Sequence, residues 1–512
     1  MNGIVRSSRS RSVFNMNRSL ALFLMIFIGC ESPFKTEPTD DEVFAVDHNY
    51  NGDKVYFPTP IEIEWSNITI KQFKEFLVER SSAYGDSVVW EEIAHIQDSL
   101  KTSYVDTIDD DITYQYRVRI VDQNDQFIHA LSAPLNVPNV SSLKVPNHYT
   151  DPQAAFESNI IDDGDTINIY PGLFRGYFQF LDKDVTIKSV TIPEITLLGG
   201  LDEMGSVVEI NKGKIQGLTI IGGEALYGGG VWAKGDAVIE DCIIRNNRAI
   251  VDPAANIQIY PNGMGGGVYM QDNAIMIDSR VTNNFSNRNG GGVLTDGDNQ
   301  IIRCKIDKNK IYATGPGVIY NCAGINQAEG TLIMRNSIIR RNETQGFGGG
   351  IGVGSYAEIY NCVFYKNKGS TGGGGALISS GADAKIINCV FYNNKSSLTS
   401  GGWWGGSDYS GSIVRLGTVS IINTIAWNNV GGDDSRLYPQ NSTYTNTDEF
   451  LFVSGDGNIN EDPLFEDASR GNFRLISGSP CINTGHPSDI YNDVNGSRND
   501  MGIYGGQYGD DW

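Results

Sequence analysis

One line is written almost twice in this chain: EIYNCVFYKNK at Glu358–Lys368 and KIINCVFYNNK at Lys385–Lys395. Aligning on its cysteine brings out further copies, centred on Cys242, Ser279, Cys304, Ser337, Cys362, Cys389 and Thr424. The intervals between them vary from 25 to 37 residues. Five residues after each centre stands an asparagine: Asn247, Asn284, Asn309, Asn342, Asn367, Asn394 and Asn429. Three residues before stands an apolar residue: Ile239, Met276, Ile301, Met334, Ile359, Ile386 and Ile421. Two residues after come Ile244, Val281, Ile306, Ile339, Phe364, Phe391 and Ala426. A looser copy, IQGLTIIGG, lies upstream at Ile215–Gly223.

Fixed residues at variable intervals describe a unit that stacks on its own copies and absorbs length differences in loops. Helical periodicity is absent, so helical solenoids are excluded. A short strand, a bend, a second short strand and a turn make one coil of a parallel β-helix. Equivalent side chains then recur about every 4.8 Å up the stack. Stacked asparagines hydrogen-bond to one another along such a column, and asparagine also tolerates the left-handed backbone of a tight turn. The small Cys, Ser and Thr residues fill one inward column. The chain has 60 glycines, and the runs at Gly228, Gly265, Gly290, Gly348 and Gly372 fall where the backbone must turn tightly.

These repeats resemble those of the right-handed parallel β-helix, or pectin-lyase-like, superfamily over residues 148–512. YTDPQAAFESNIIDDGDTINIYPGLFRG (Tyr149–Gly176) is similar to the opening segment of such domains: an amphipathic helix, a Gly-Asp turn and the first strand. That helix would cover the open end of the stack, where unpaired edges invite aggregation. DPLFED (Asp462–Asp467), GNFRLISGSPCINTG (Gly471–Gly485) and RNDMGIYGG (Arg498–Gly506) are similar to their closing segment.

Residues 46–138 read as a small all-β domain. IEIEW (Ile61–Trp65), FKEFLVERS (Phe73–Ser81), VVWEEIAHI (Val88–Ile96) and TYQYRVRIVD (Thr113–Asp122) are strand-like runs between turn residues. Tyr114, Tyr116, Val118 and Ile120 fall on one face, the pattern of a sandwich strand. The set resembles a fibronectin type III domain, with Trp65 as its core tryptophan and Tyr114 as its corner tyrosine. The resemblance implies a spacer or binding module. Residues 139–147 read as a linker. The fold expected is therefore all-β: a right-handed parallel β-helix solenoid preceded by a small fibronectin type III-like β-sandwich.

Ahead of both lies an address. Arg6, Arg9, Arg11 and Arg18 precede the apolar run LALFLMIFIGC (Leu20–Cys30). That run is too short to cross a bilayer, which needs about 20 residues, and reads as an export signal over residues 1–30. It resembles a bacterial lipoprotein signal, with Phe27 where leucine is usual, which implies acylation of Cys30 and anchoring in the cell envelope, at the outer membrane or cell surface. Residues 31–45, polar and acidic, read as a tether.

The net charge of −22 excludes a nucleic-acid partner, because phosphate binding needs a basic face. Cys242, Cys304, Cys362 and Cys389 read as buried thiols, with a Cys362–Cys389 disulfide sterically conceivable on neighbouring coils. His48, His95, His129, His148 and His486 are the only histidines, and none lies in the repeat body, so no zinc site is expected. DIYNDVNGSRND (Asp489–Asp500) has Tyr491 where a calcium loop needs its first ligand, and reads as a turn.

Function has to come from the outward positions. One residue past each centre lie Ile243, Arg280, Lys305, Ile338, Val363, Val390 and Ile425; three past lie Arg245, Thr282, Asp307, Arg340, Tyr365, Tyr392 and Trp427. One exposed sheet would thus carry a cationic cluster in its first half and an aromatic column in its second. Tyr365, Tyr392 and Trp427 could stack on the C–H faces of sugar rings, with Trp403 and Trp404 as a wall, so the partner expected is a polysaccharide or cell-surface glycan. The same aromatics could serve only to stabilise a β-sheet column. Polysaccharide lyases of the superfamily abstract a proton beside a uronate carboxylate with an Arg or Lys base, aided by cations or Ca²⁺. The resemblance makes Lys305 or Arg280 the base candidate and Arg340 the charge neutraliser. A simple solvated face with Asp307–Arg340 pairing is the plain alternative. The superfamily's acidic calcium cluster is missing, as is an Asp pair for glycoside hydrolysis. The expectation is non-catalytic glycan recognition, with no cofactor; a lyase, with Ca²⁺ in that case alone, and a structural adhesin with a protein partner are the alternatives.

Overall fold

Alternation along the chain decides both halves of the fold. In Thr113–Asp122, Tyr114, Tyr116, Val118 and Ile120 are buried on one face. This strand lies in an antiparallel sheet in the order Trp90–Ile96, Phe73–Ser82, Thr113–Asp122, Phe127–Leu131, with Leu135–Asn136 also paired to Thr113–Asp122. A second antiparallel sheet holds Val46–His48, Thr59–Trp65 and Ser103–Ile108. Trp65 is buried with its ring 5.3 Å from that of Phe76 on the facing sheet, so the core lies between the two layers of a β-sandwich.

The structure is a computed structural model that describes residues 46–48, 59–67, 72–82, 89–108, 113–132, 135–136, 142–147, 149–158, 161–251, 263–312, 322–370, 373–396, 411–431, 442–448 and 455–512. It divides into two units, one built around residues 61–106 and 114–135, the other around 136–512. Cys30, the tether, Trp403, Trp404 and Gly372 lie outside the described residues.

The second unit is a right-handed parallel β-helix; parallel crossovers of twisted strands take that hand. Each coil contributes one strand to each of several parallel sheets. In the coil centred on Cys242 these are Val238–Glu240, Ile243–Arg245, Arg248–Ala249 and Val268–Asp272. We call the resulting stacks the front sheet, flank sheet, corner ribbon and back sheet; they hold 12, 11, 7 and 9 strands among the described residues. Register between rungs is strict, as in Ile239↔Met276 and Ile244↔Val281. The looser upstream copy is a true rung, with Ile215 opposite Ile239.

Two polar ladders hold the coils in step. The Nδ2 of each column asparagine donates to the Oδ1 of the next, from Asn247 to Asn284 and on through Asn309, Asn342, Asn367 and Asn394 to Asn429, at 3.0–3.1 Å. The same amide donates to a carbonyl of the preceding coil, as Asn367 does to Ile339. Buried amides satisfied this fully lock the register. The centre column forms a second ladder: the Cys242 amide donates to Ser279 Oγ, and the Cys304 amide to Ser337 Oγ. Cys362 and Cys389 are free thiols, with the Cys362 amide 3.4 Å from Cys389 Sγ.

Two details differ from the sequence reading. The left-handed residues are not the ladder asparagines but their predecessors, such as Asn246 (φ 55°) and Lys366 (φ 55°), and the residues just before each centre, such as Asn361 (φ 49°). The ladder side chain must point inward, so the bend falls one residue earlier. Among the glycines, Gly290 has φ 64° and a Cβ there would lie 2.4 Å from the Val293 carbonyl; in the fifth such run Gly373 has φ 59°. The solenoid also begins inside the expected linker. Ser142–Val145 pairs in parallel with Thr166–Ile169, because Leu143 and Val145 continue the inward alternation. The helix Pro152–Glu157, N-capped by Asp151, then buries Ala155 and Phe156 against Phe180 at the end of the stack.

Past the last parallel strand the chain lays residues 455–461 on the final coil, where Ile459 bridges Asn446 and the Asn458 side chain donates to the Ser442 carbonyl. The C-terminal segment then returns along the flank. A hairpin of Phe465–Asp467 and Asn472–Leu475 lies over the flank sheet, and a strap over 481–508 follows the edge between flank and front sheets back toward earlier coils. The Asp489–Asp500 stretch is the turn expected: Asp493 Oδ1 accepts from the Asp500 and Gly506 amides and fixes the strap's path.

Candidate functional site

The flank sheet brings Arg280, Lys305, Asp307 and Arg340 together. Lys305 lies in register with Arg280 on one rung and Ile338 on the next, and Asp307 with Thr282 and Arg340. Asp307 is not an exposed residue of a charged strip. Its side chain is fully buried and Oδ2 lies 3.5 Å from Arg280 and 3.3 Å from Arg340. Burial opposes the charged carboxylate, but the Thr282 side chain and the cations Arg280, Arg340 and Lys305 outweigh it and hold the carboxyl below its ordinary value. Lys305 makes no ion pair among the described residues. Its pKa is lowered, first by burial and then by Arg340, Arg280 and Arg341, with Asp307 opposing. Arg245 lies two rungs below Asp307 in the same column. One carboxylate thus organises two arginines beside Lys305, and the site keeps a positive excess in an acidic chain.

The aromatic column is not on an open face. Tyr365 is 1 % exposed: its hydroxyl donates to the Ser469 carbonyl at 2.6 Å and its ring meets Phe473 at 5.5 Å. Tyr392 packs on Phe473 and Phe465. Trp427 is half-buried in the same cluster, with Val363, Val390, Ile425, Met501 and Ile503. The column is core between flank sheet and C-terminal segment, which removes the surface that glycan stacking on Tyr365 requires. The returning segment could not be placed from sequence, because nothing local says where a closing segment docks.

One signal for it was there. The residue before each centre is Asp241, Asp278 and Arg303 in the first copies and Asn336, Asn361, Asn388 and Asn423 in the last. The strap hangs on those asparagines. Asn361 Nδ2 donates to the Ile503 and Gly505 carbonyls at 2.9 and 2.8 Å, Asn388 Nδ2 to Asp500 and Gly502, and Asn336 Nδ2 to Tyr508. Asn423 Oδ1 accepts from the His486 amide. A stack of aromatics does occur elsewhere: Trp232 and Tyr269 lie in register on the back sheet, 5.9 Å apart and 15° from coplanar.

Among the described residues no group of three or more His, Cys, Asp or Glu side chains is placed to hold a metal ion.

A family described as right handed beta helix region matches residues 229–432. No curated protein matches the chain. Among solved structures, the chain is similar to a pectin methylesterase in complex with a hexasaccharide, at 12 % identity and TM-score 0.30 over 65 % of this chain and 98 % of that one. A pectate lyase of Pectobacterium carotovorum aligns at 11 % identity and TM-score 0.17 over 78 % and 97 %. A pectate lyase of Erwinia chrysanthemi, in complex with tetragalacturonic acid, aligns at 10 % identity and TM-score 0.15 over 81 % and 88 %. Similarity at that level carries no argument about activity.

Proposed function

We propose that this chain is an exported surface protein whose β-helix recognises a glycan bearing acidic groups, without catalysis, through Arg280, Lys305 and Arg340. The observation that supports it is the cation excess around buried Asp307. The two arginines are oriented by that carboxylate, and Lys305 stands beside them without an ion-pair partner of its own among the described residues. Planar guanidinium groups held in place are suited to carboxylate and sulfate. In the same proposal Cys30 is acylated, residues 31–45 are a tether and 46–138 a fibronectin type III-like spacer that holds the solenoid, 148–512 with its first strand upstream, away from the membrane. The support for that arrangement is the sequence, and protease shaving of intact cells tests it.

A second reading is favoured by the placement of Lys305, part-buried in register with Arg280 and close to Arg340, surroundings that lower its pKa. As a lyase, neutral Lys305 Nζ would take the proton beside a uronate carboxylate. The electron pair would form the new C=C bond and expel the glycosidic oxygen, which is protonated in turn, while Arg340 faces the carboxylate. Calcium would have a role under this reading alone. Against it, Asp307 already neutralises part of the charge that the carboxylate would need.

The deciding experiment incubates the protein, with and without Ca²⁺, with uronate-containing polysaccharides and follows ultraviolet absorbance, alongside retention on a polyuronate gel. Retention that Arg340→Ala abolishes, with no absorbance rise, is expected. A rise that Lys305→Ala removes would establish the lyase. No retention and no rise would leave an adhesin with a protein partner.

A further inference from the structure

On the front sheet, beside the strap, lies a groove of about 350 Å³. It is a different surface from the cation cluster, which faces out from the flank sheet on earlier coils. Its floor is Tyr360, Ile387 and Ile422, in register on consecutive rungs. Its wall is the strap, with Ile490, Tyr491 and Tyr508. Tyr360 and Tyr508 meet edge to face across the corner at 5.8 Å, and the Arg335 guanidinium lies on the Tyr508 ring at 5.0 Å. Ile490, 76 % exposed, stands at the mouth.

The polar groups are fixed before anything binds. Glu358 accepts from the Tyr356 hydroxyl at 2.5 Å, the Tyr360 hydroxyl at 2.8 Å and Lys385 Nζ at 3.0 Å. The Tyr356 hydroxyl foremost, with Tyr360 and Lys385, keeps this carboxyl ionised below its ordinary range despite partial burial. Glu358 and Lys385 therefore cancel in charge while Lys385, at the rim, keeps unused donors, and the second lone pairs of the carboxylate remain. Asn361 and Asn388, also in the lining, are committed to the strap and hold the wall in place.

We propose that this groove binds an uncharged saccharide chain. A pyranose ring has an apolar C–H face and a rim of hydroxyls that both donate and accept. Tyrosine rings and isoleucines on floor and wall match the first, and Lys385, Ser420 and Gln507 in the lining match the second. Charge decides between ligand classes. The one charged side chain in the lining, Lys385, is already paired with Glu358 behind it, so a neutral chain fits the groove without an uncompensated charge. Floor residues on three rungs, at about 4.8 Å per rung, present a track of about 10 Å along the solenoid axis.

Isothermal titration of the purified protein with cellohexaose, mannohexaose and hexagalacturonate tests this. Saturable binding of one uncharged hexamer is expected, weakened about tenfold by Lys385→Ala and by Ile490→Asp, the loss of one good contact each. Both positions are exposed, so the fold is retained; circular dichroism and the thermal midpoint check it. Absence of binding by both uncharged hexamers overturns the proposal, as does binding that neither variant weakens. Hexagalacturonate binding lost in Arg340→Ala but not in Lys385→Ala reports on the cation cluster, so the two proposals fail separately.

Discussion

The two halves of the flank sheet share one backbone and carry opposite chemistry. In the early coils the outward columns hold Arg280, Lys305, Asp307 and Arg340, open to water around one buried carboxylate. In the later coils the same columns hold Val363, Tyr365, Val390, Tyr392, Ile425 and Trp427, roofed by the C-terminal hairpin and strap. The boundary falls between Lys305 and Ile338 in one column and one rung later, between Arg340 and Tyr365, in the other; Ile338 and Trp512 already belong to the covered cluster. A β-helix buries its interior whatever the outward residues are, so those residues are free to specify what lies on them. Here they specify water and ligand in one half and the chain's own tail in the other.

The largest break in this comparison comes from unroofing the covered half. Phe473, 2 % exposed, touches Tyr365, Tyr392 and Phe465. Phe473→Ala should cost about 3–5 kcal/mol of the segment's docking, the usual range for a buried phenylalanine. Because solenoids unfold in parts, hydrogen exchange resolved along the chain is the measurement. Protection should fall across 465–508 and on the Tyr365 and Tyr392 rungs, and stay unchanged at Lys305. Uniform loss would mean the tail is integral to the whole stack.

In the open half the corresponding change is Asp307→Asn. It leaves Arg280, Lys305 and Arg340 facing one another without their counter-charge. Breaking a buried pair costs about 3–5 kcal/mol; the lower end is expected, since Arg280 and Arg340 remain partly in water. The pH dependence is the sharper test. Asp307 has a folded pKa below its ordinary 3.8, so its contribution is complete above that value and is lost as pH falls through the folded one. Wild type should lose local stability on acidification below about pH 4, and Asp307→Asn should lose that part of the acid limb. An unchanged acid limb would show that Asp307 is not the group titrating.

How much of this was legible in sequence follows from which interactions are local. The coil, its ladders and the inward columns were, because a residue and its equivalent one rung away are related by a repeat. Tyr365 was misjudged because its neighbour Phe473 lies 108 positions on, with no repeat relating them. The Asp307–Arg340 pair was legible from the register, but the full burial of Asp307, with Arg280 also on it from the preceding rung, was not. The groove could not be anticipated at all, since one wall is the strap. The switch from Asp and Arg to Asn before the centre was the visible trace of the strap.

That switch also supplies the smallest and most discriminating comparison. Asn361 and Asp278 occupy equivalent left-handed positions, φ 49° in both, so glycine at either removes the side chain and relieves rather than adds backbone strain. Asn361→Gly deletes two donors to the Ile503 and Gly505 carbonyls, and each buried carbonyl left unmet costs about 1–3 kcal/mol. Asp278→Gly deletes only the exposed bidentate pair with Arg303 at 2.7 Å, where about 0–1 kcal/mol is expected and salt screens it further. Urea midpoints read with hydrogen exchange at Met501–Gly506 should therefore separate the two, with the strap loosened by the first and untouched by the second. Equal effects would mean that the asparagine column decorates the corner and that apolar contact alone holds the strap; a larger effect of Asp278→Gly would reverse which half of the flank depends on its corner residues.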